Sequence, residues 1–467
     1  MKKIISFVLA TALLFCSVLI SANAYTFDHR GDAVTDENAV YKTSKDGKYH
    51  YAVNEQTGQA CFWRSSETDI TVLEIPDEID GCPITEVSRC LSSSPSLVRV
   101  KFGKNIKYAL TGSLDFYSRN PSGVFLCNID LNEGLEEICV NASDYYWAGR
   151  EVRAIPRLEV LVLPKSLKFV GTEGISSSRV RNLIVQSNFE TDKHAVSHND
   201  TMEKRGYLDF YWPGCKMYLT SDITNFDDFA LNYKPWYDFE DFPPYLETTV
   251  NKYMTIYKTP DTKGVEKFEK MGYPVEEYTE EWWHDLAEIE EVTMTAEGMS
   301  EKIEQVGNGL SDSARKYLSH EYEKSVKSGE KFTVSSAFAP SDAYDDRTFF
   351  VSMDETVATV DTETGEVTAL KKGTARIRCV AASGVFSDCI LKVDGGDDTN
   401  GVYPLTNYYE KTIVAKETTT ESDSSANQTK TTDWKEFFFT NKLYIIIPVA
   451  AAAILTAAVV VIKKKKR

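Results

Sequence analysis

Asp69-Ile70-Thr71-Val72-Leu73-Glu74-Ile75-Pro76-Asp77-Glu78-Ile79-Asp80-Gly81-Cys82-Pro83-Ile84-Thr85-Glu86-Val87 decides the fold of the first half of this chain. A short apolar run ends at Pro76, and a second apolar cluster follows it. Proline removes a backbone donor and glycine takes conformations that other residues avoid, so both punctuate strands. The same element returns as Leu97-Val98-Arg99-Val100-Lys101-Phe102-Gly103 and as Cys127-Asn128-Ile129-Asp130-Leu131-Asn132. It appears again as Leu158-Glu159-Val160-Leu161-Val162-Leu163-Pro164 and as Val180-Arg181-Asn182-Leu183-Ile184-Val185. One strand per uneven period, roughly in the twenties to low thirties, is the spacing of a solenoid whose units bury their apolar faces against one another.

The Asp69–Val87 stretch resembles the opening of BspA-type leucine-rich repeat arrays of surface proteins, which commonly start on I-P-x-x-I-D-G-x-P-V-T-x-I. Asp46-Gly47-Lys48-Tyr49-His50-Tyr51-Ala52-Val53-Asn54 resembles their lead-in strand. Met254-Thr255-Ile256-Tyr257, followed by Gly264-Val265-Glu266-Lys267-Phe268-Glu269-Lys270-Met271-Gly272-Tyr273, is similar to their closing strand-plus-helix unit. The repeats here are long and uneven, and the family's A-F-x-x-C helix signature is largely missing. The resemblance implies an array over 25–278, with an insertion at 207–253 and a closing unit at 254–278. It also implies partners among host matrix or cell-surface proteins, other bacteria, or glycans.

A second unit is expected over 285–394. Lys331-Phe332-Thr333-Val334, Val357-Ala358-Thr359-Val360, Glu366-Val367-Thr368-Ala369-Leu370, Ala375 to Val380 and Cys389 to Val393 read as short strands between turn signals, the pattern of a β-sandwich. Val357-Ala358-Thr359-Val360-Asp361, Gly365-Glu366-Val367-Thr368-Ala369 and Gly373-Thr374-Ala375-Arg376-Ile377 resemble the bacterial Ig-like group 2 domain. Phe350 stands where that family usually has Trp, and the charged, part-helical segment 300–327 reads as an insertion. Cys379 and Cys389 lie nearly symmetrically about Ser383-Gly384. A hairpin turn there would set them facing each other as a cross-strand disulfide. They would otherwise be two small buried hydrophobes on the inward face.

Both ends of the chain read as membrane signals. Lys2-Lys3, the apolar run Ile4 to Ile20 and Ala22-Asn23-Ala24 form a signal peptide, 1–24. Residues 443–462 carry no charge and, as a helix, would span roughly 30 Å, the thickness of the bilayer's hydrocarbon core. The basic tail 463–467 would remain cytoplasmic, which predicts a single-pass type I protein of the cell membrane with an extracellular ectodomain. The Ser/Thr-rich linker 395–441 cannot bury a core and should be a disordered stalk about 35 Å in reach. The expected architecture is therefore mixed: leucine-rich-repeat solenoid, all-β Ig-like sandwich, stalk and one transmembrane helix.

Composition bounds the chemistry. The 467 residues carry a net charge of −18, which argues against a nucleic-acid partner. Of nine cysteines, Cys16 leaves with the signal peptide, and no pair among the others has the CxxC spacing of a zinc site. His194 and His198 lack a supporting cluster, and Trp282-Trp283-His284-Asp285 reads as a packed aromatic edge. No nucleophile elbow or phosphate loop is present. These residues predict no enzyme, no cofactor and no metal.

The candidate ligand residues are Tyr233, Trp236, Tyr237, Asp238 and Tyr245, in the aromatic-acidic insertion. Their rings can stack on sugars while carboxylates accept hydroxyl hydrogen bonds. The same rings can instead cap the apolar end of the array. Read together, these features predict an adhesin-like surface protein whose array is the binding head, with the Ig-like domain and stalk holding it off the bilayer. A surface carbohydrate-capture module and an architectural cell-envelope protein are the alternatives.

Overall fold

A computed structural model of the chain describes residues 39–92, 94–110, 113–114, 126–139, 157–172, 174–176, 180–192, 195–197, 215–231, 254–396 and 401–402. Its first part is built from short parallel strands, two per segment where one was expected. Strands Val72–Glu74, Arg99–Lys101 and Asn128–Asp130 form one parallel sheet. Strands Leu158–Leu163, Val180–Val185, Lys216–Leu219, Thr255–Lys258 and Val275–Glu277 form the next. The opposite wall starts as an antiparallel meander, Ala39–Thr43, Tyr49–Asn54 and Ala60–Ser65. It continues in parallel through Cys82–Ser92, Tyr108–Ala109, Glu137–Ile138, Phe169–Val170 and Glu190–Thr191. The second apolar cluster of each repeat is the source of this second strand.

Alternation along the strands places the core between the two walls. Leu73, Val100 and Ile129 stand opposite one another in register and are buried. On the facing wall, Val87, Ala109, Ile138 and Val170 make the matching row, all fully buried. Polar residues at the corners tie one segment to the next. Asn132 donates from Nδ2 to the carbonyls of Lys104 and Ile106 at 3.1 and 2.9 Å, and Ser166 donates from Oγ to the Leu135 carbonyl at 2.7 Å. Strand Thr255–Lys258 and helix α1 (Glu266–Lys270) occupy the closing segment, with Phe268 buried in the array core.

The second part is a sandwich. A five-stranded sheet takes the order Ser300–Glu301, Leu318–Val326, Phe386–Val393, Gly373–Ala381, Thr348–Ser352, and it faces smaller sheets that include Lys331–Thr333, Glu366–Ala369 and Ala358–Val360. Val292, Val367, Ile377, Cys379, Cys389 and Leu391 fill the space between. The turn at Asp361 shows why its motif has those residues. Asp361 Oδ1 accepts from the Glu363 and Thr364 amides and from the Thr364 hydroxyl. Gly365 has φ of 70°, and a Cβ there would lie 2.2 Å from the Val334 carbonyl.

One expectation is corrected here, and of the two readings of Cys379 and Cys389 the second, two buried hydrophobes, fits the structure. Segment 300–327 is not one insertion: Leu318–Val326 is a strand of the main sheet, paired in parallel with Phe386–Val393. Only the stretch around helix α2 (Asp312–Arg315) stands apart from the sandwich strands. The Cys379–Cys389 disulfide is absent, because the turn is centred on Ser383. Cys379 faces Ser387 and Cys389 faces Ile377. Diagonal neighbours of this kind lie roughly 7–8 Å apart, beyond a disulfide's reach. Both are free buried thiols, and burial pushes each up to about 12. A reductant should therefore leave the melting temperature unchanged. A thiol reagent should spare both cysteines until the protein unfolds; their labelling in the native state would contradict this packing.

Among the described residues no helix is long and apolar enough to cross a membrane. The segments 1–24 and 443–462 lie outside the described residues, as do His194 and His198.

Candidate functional site: the seam between array and sandwich

Strand Gly373–Ala381 is buried along nearly its whole length, including Arg376 and Arg378. A one-sided sheet would alternate, so something must cover its second face. The array does. Alternate residues of the first array sheet, Val72, Arg99 and Asn128, form an outward row in register, and Glu74, Lys101 and Asp130 form a second row beside it.

The hairpin tip between Gly373–Ala381 and Phe386–Val393 is met by polar side chains from successive array segments. Asn128 Nδ2 donates to the Ala382 carbonyl at 2.7 Å. Arg99 Nη1 reaches the Ser383 carbonyl at 3.4 Å, and Thr71 Oγ1 donates to the Gly384 carbonyl at 2.6 Å. Gly384 has φ of 99°, and a Cβ there would lie 2.2 Å from Cγ2 of Val72. The tip fits because that position has no side chain.

The second row grips the segment after α2. Glu74 accepts from Lys316 at 2.6 Å and from the Tyr317 hydroxyl at 2.6 Å. Burial would raise the Glu74 carboxyl, but these two bonds outweigh it and hold the group below its ordinary value. Arg99 is clamped by Asp130 at 2.7 and 3.0 Å and by Glu288 at 2.6 Å, so the linker before the sandwich is tied to the same arginine. Ser311, which caps α2, donates from its hydroxyl and its amide to Asp69. Apolar packing closes the seam, where Val98 and Cys127 of the array join Leu310, Phe349, Val351 and Phe386.

Beneath the tip lies a buried ionic cluster. Asp388 receives Arg378 at 2.8 and 3.0 Å and Arg376 at 3.1 Å. Arg376 also meets buried Glu321 at 2.6 Å. Arg378 crosses into the array, donating to the Asp69 carbonyl at 2.5 Å and to Ser96 Oγ at 3.0 Å. Burial alone would raise Asp388, but the two guanidiniums outweigh it and hold it below the ordinary carboxylate value.

Farther along the array the linker takes over as cover. Trp283 is buried with Val160, Ile184 and Tyr218, and Tyr218 stacks on Tyr257 with ring centroids 4.8 Å apart. Two clefts flank residues 286–288 of the linker. One, of about 510 Å³, is lined by Arg99, Lys101, Glu288 and Tyr317, and the other, of about 240 Å³, by Asn128, Asp130, Glu133 and Tyr344. The first cleft mixes both signs of charge, whereas the charged residues of the second, Asp130, Glu133 and Glu288, are all carboxylates. Among the described residues no three His, Cys, Asp or Glu side chains gather to hold a metal.

Residues 318–390 match the family model of the bacterial Ig-like domain (group 2). The sandwich is a bacterial Ig-like domain. Its matched region begins at Leu318, where the strand recovered from the expected insertion begins. Among solved structures, a leucine-rich repeat protein of T. pallidum matches at 16% identity and a TM-score of 0.22, covering 52% of this chain and 98% of that one. No curated protein sequence matches the chain.

Tyr233, Trp236, Tyr237, Asp238 and Tyr245 lie outside the described residues. Of the residues that join the two parts, Gly384 was read from sequence only as part of a turn, and Thr71, Arg99 and Asn128 only as members of the repeat strands. The one available signal was Arg376-Ile377-Arg378, since charges on both sides of an inward residue in a core strand require a covering partner.

Proposed function

We propose that the chain is a cell-surface binding protein, held in the membrane by residues 443–462, with array and Ig-like domain acting together as one recognition head. The stacked parallel strands are taken as a leucine-rich-repeat solenoid, whose length offers a long surface to a protein or glycan partner. The observation that carries the composite head is the match of Asn128, Arg99 and Thr71 to Ala382, Ser383 and Gly384. A domain that served only as a spacer would not need a buried arginine reaching into its neighbour. Because the outward face of the first array sheet is used internally, the partner is taken to bind elsewhere on the head.

A glycan array and an adhesion assay on protein-coated surfaces, both with the full chain, test this reading. Protein-dependent adhesion without a glycan signal supports the adhesin-like function. Glycan binding that is lost in Trp236→Ala/Tyr237→Ala would favour carbohydrate capture. Failure in both assays, or protection of the ectodomain from protease added to intact cells, would remove the surface-binding proposal.

A further inference from the structure

His320 stands between two carboxylates. Its Nδ1 lies 2.8 Å from Glu301 Oε1 and its Nε2 lies 2.7 Å from Glu291 Oε1. A carboxylate oxygen only accepts, so both bonds exist together only when both ring nitrogens carry a proton, as in imidazolium. The three residues come from three strands: Glu291–Thr295, Ser300–Glu301 and Leu318–Val326. The last two pair directly, whereas Glu291–Thr295 belongs to a different sheet, so the ring ties two layers of the Ig-like domain together.

The tied strands are continuations of the segments that grip the array. Glu291 follows Glu288, which holds Arg99, and Ile289, whose carbonyl accepts from Ser383 Oγ at 2.7 Å. His320 follows Lys316 and Tyr317, which hold Glu74. Besides the two carboxylates, Tyr322 faces the ring with centroids 6.1 Å apart. Strand Phe386–Val393 presents only the Ser387 hydroxyl, which accepts from the His320 amide.

We propose that His320 is a proton-operated clasp on the seam: as imidazolium it fastens the strands that flank both gripping segments, and its deprotonation loosens the Ig-like domain on the array. Neutral imidazole can donate from one nitrogen only, so the other would set a lone pair against a carboxylate. Burial lowers the His320 pKa, but the bonds to Glu291 and Glu301 outweigh it, and the native value lies above the ordinary 6.5. The stabilisation is therefore complete below 6.5 and fades as pH rises through the higher native value. The clasp is independent of what the head binds.

Amide exchange on the full chain, across a pH series spanning neutrality, tests the proposal. In the wild type, protection at 71–74 and 382–385 should fall with rising pH, by about tenfold relative to His320→Gln measured at the same pH. The His320 ring should titrate above 6.5, and Glu291→Gln or Glu301→Gln should each lower that midpoint while keeping the ring. Wild type and His320→Gln losing protection in parallel would overturn the clasp. So would a wild-type midpoint at or below 6.5, which remains measurable if His320→Gln fails to fold.

Discussion

Replacing Gly384 by valine will separate the array from the Ig-like domain. At φ of 99° an L side chain is strained, and the new Cβ would overlap Val72, which lies on a sheet fixed from behind by the array core. Strain of this kind costs about 1–3 kcal/mol, and overpacking in a well-filled site adds a similar amount. The three tip hydrogen bonds depend on that close approach, so they are lost with it. The wild type should unfold in one transition that includes both parts. The variant should show two, with thiol labelling of Cys127 accelerated because that residue sits in the seam. A Val72→Ala partner mutation should recover part of the loss by making room for Cβ, while leaving the backbone strain. A double-mutant cycle with no coupling between positions 72 and 384 would show that the hairpin does not dock there.

Much of the fold was legible because it rests on local rules. Pro76, Gly103, Asn132 and Pro164 break strands wherever they occur, so the first strand of each repeat was readable without tertiary information. The second strand was not, since two-residue strands such as Glu137–Ile138 are too short to show a period. In the Ig-like domain, the Asp361–Gly365 turn and its flanking strands were legible for the same local reason. Strand Leu318–Val326 was hidden because its carboxylates and lysine suggested a solvated surface. Glu321 is in fact neutralised by Arg376 and Lys302, residues far from it in sequence. The hairpin register failed by a single position of the turn: a turn centred on Ser383 instead of on Gly384 moves the partner of Cys379 from Cys389 to Ser387. The seam was illegible altogether. Docking is a property of two surfaces, and neither Gly384 nor Val72 is unusual until the other is placed against it.

The second large effect is expected at Asp388. Asp388→Asn keeps the shape of the side chain and removes its charge, leaving Arg378 with no carboxylate partner in a fully buried site. Arg376 still has Glu321, so the loss falls mainly on Arg378 and, through it, on Asp69 and Ser96 of the array. Breaking a buried pair in this way costs about 3–5 kcal/mol, because one charge remains desolvated without compensation. The cost should shrink when the second charge is removed as well. Arg378→Met/Asp388→Leu, which fills the same space with apolar atoms, is expected to be more stable than Asp388→Asn alone. It should nevertheless melt with weakened coupling between array and Ig-like domain, since the Asp69 carbonyl loses its donor. Acid titration supplies an independent measurement. Asp388 is held below its ordinary 3.8, so the stability it contributes is present above that value and is lost as pH falls through the lower native one. Wild type and Asp388→Asn should therefore converge in stability only at strongly acidic pH. If Asp388→Asn and the double replacement were equally unstable at neutral pH, the uncompensated charge would not be the cause, and the cluster's contribution would have to come from packing alone.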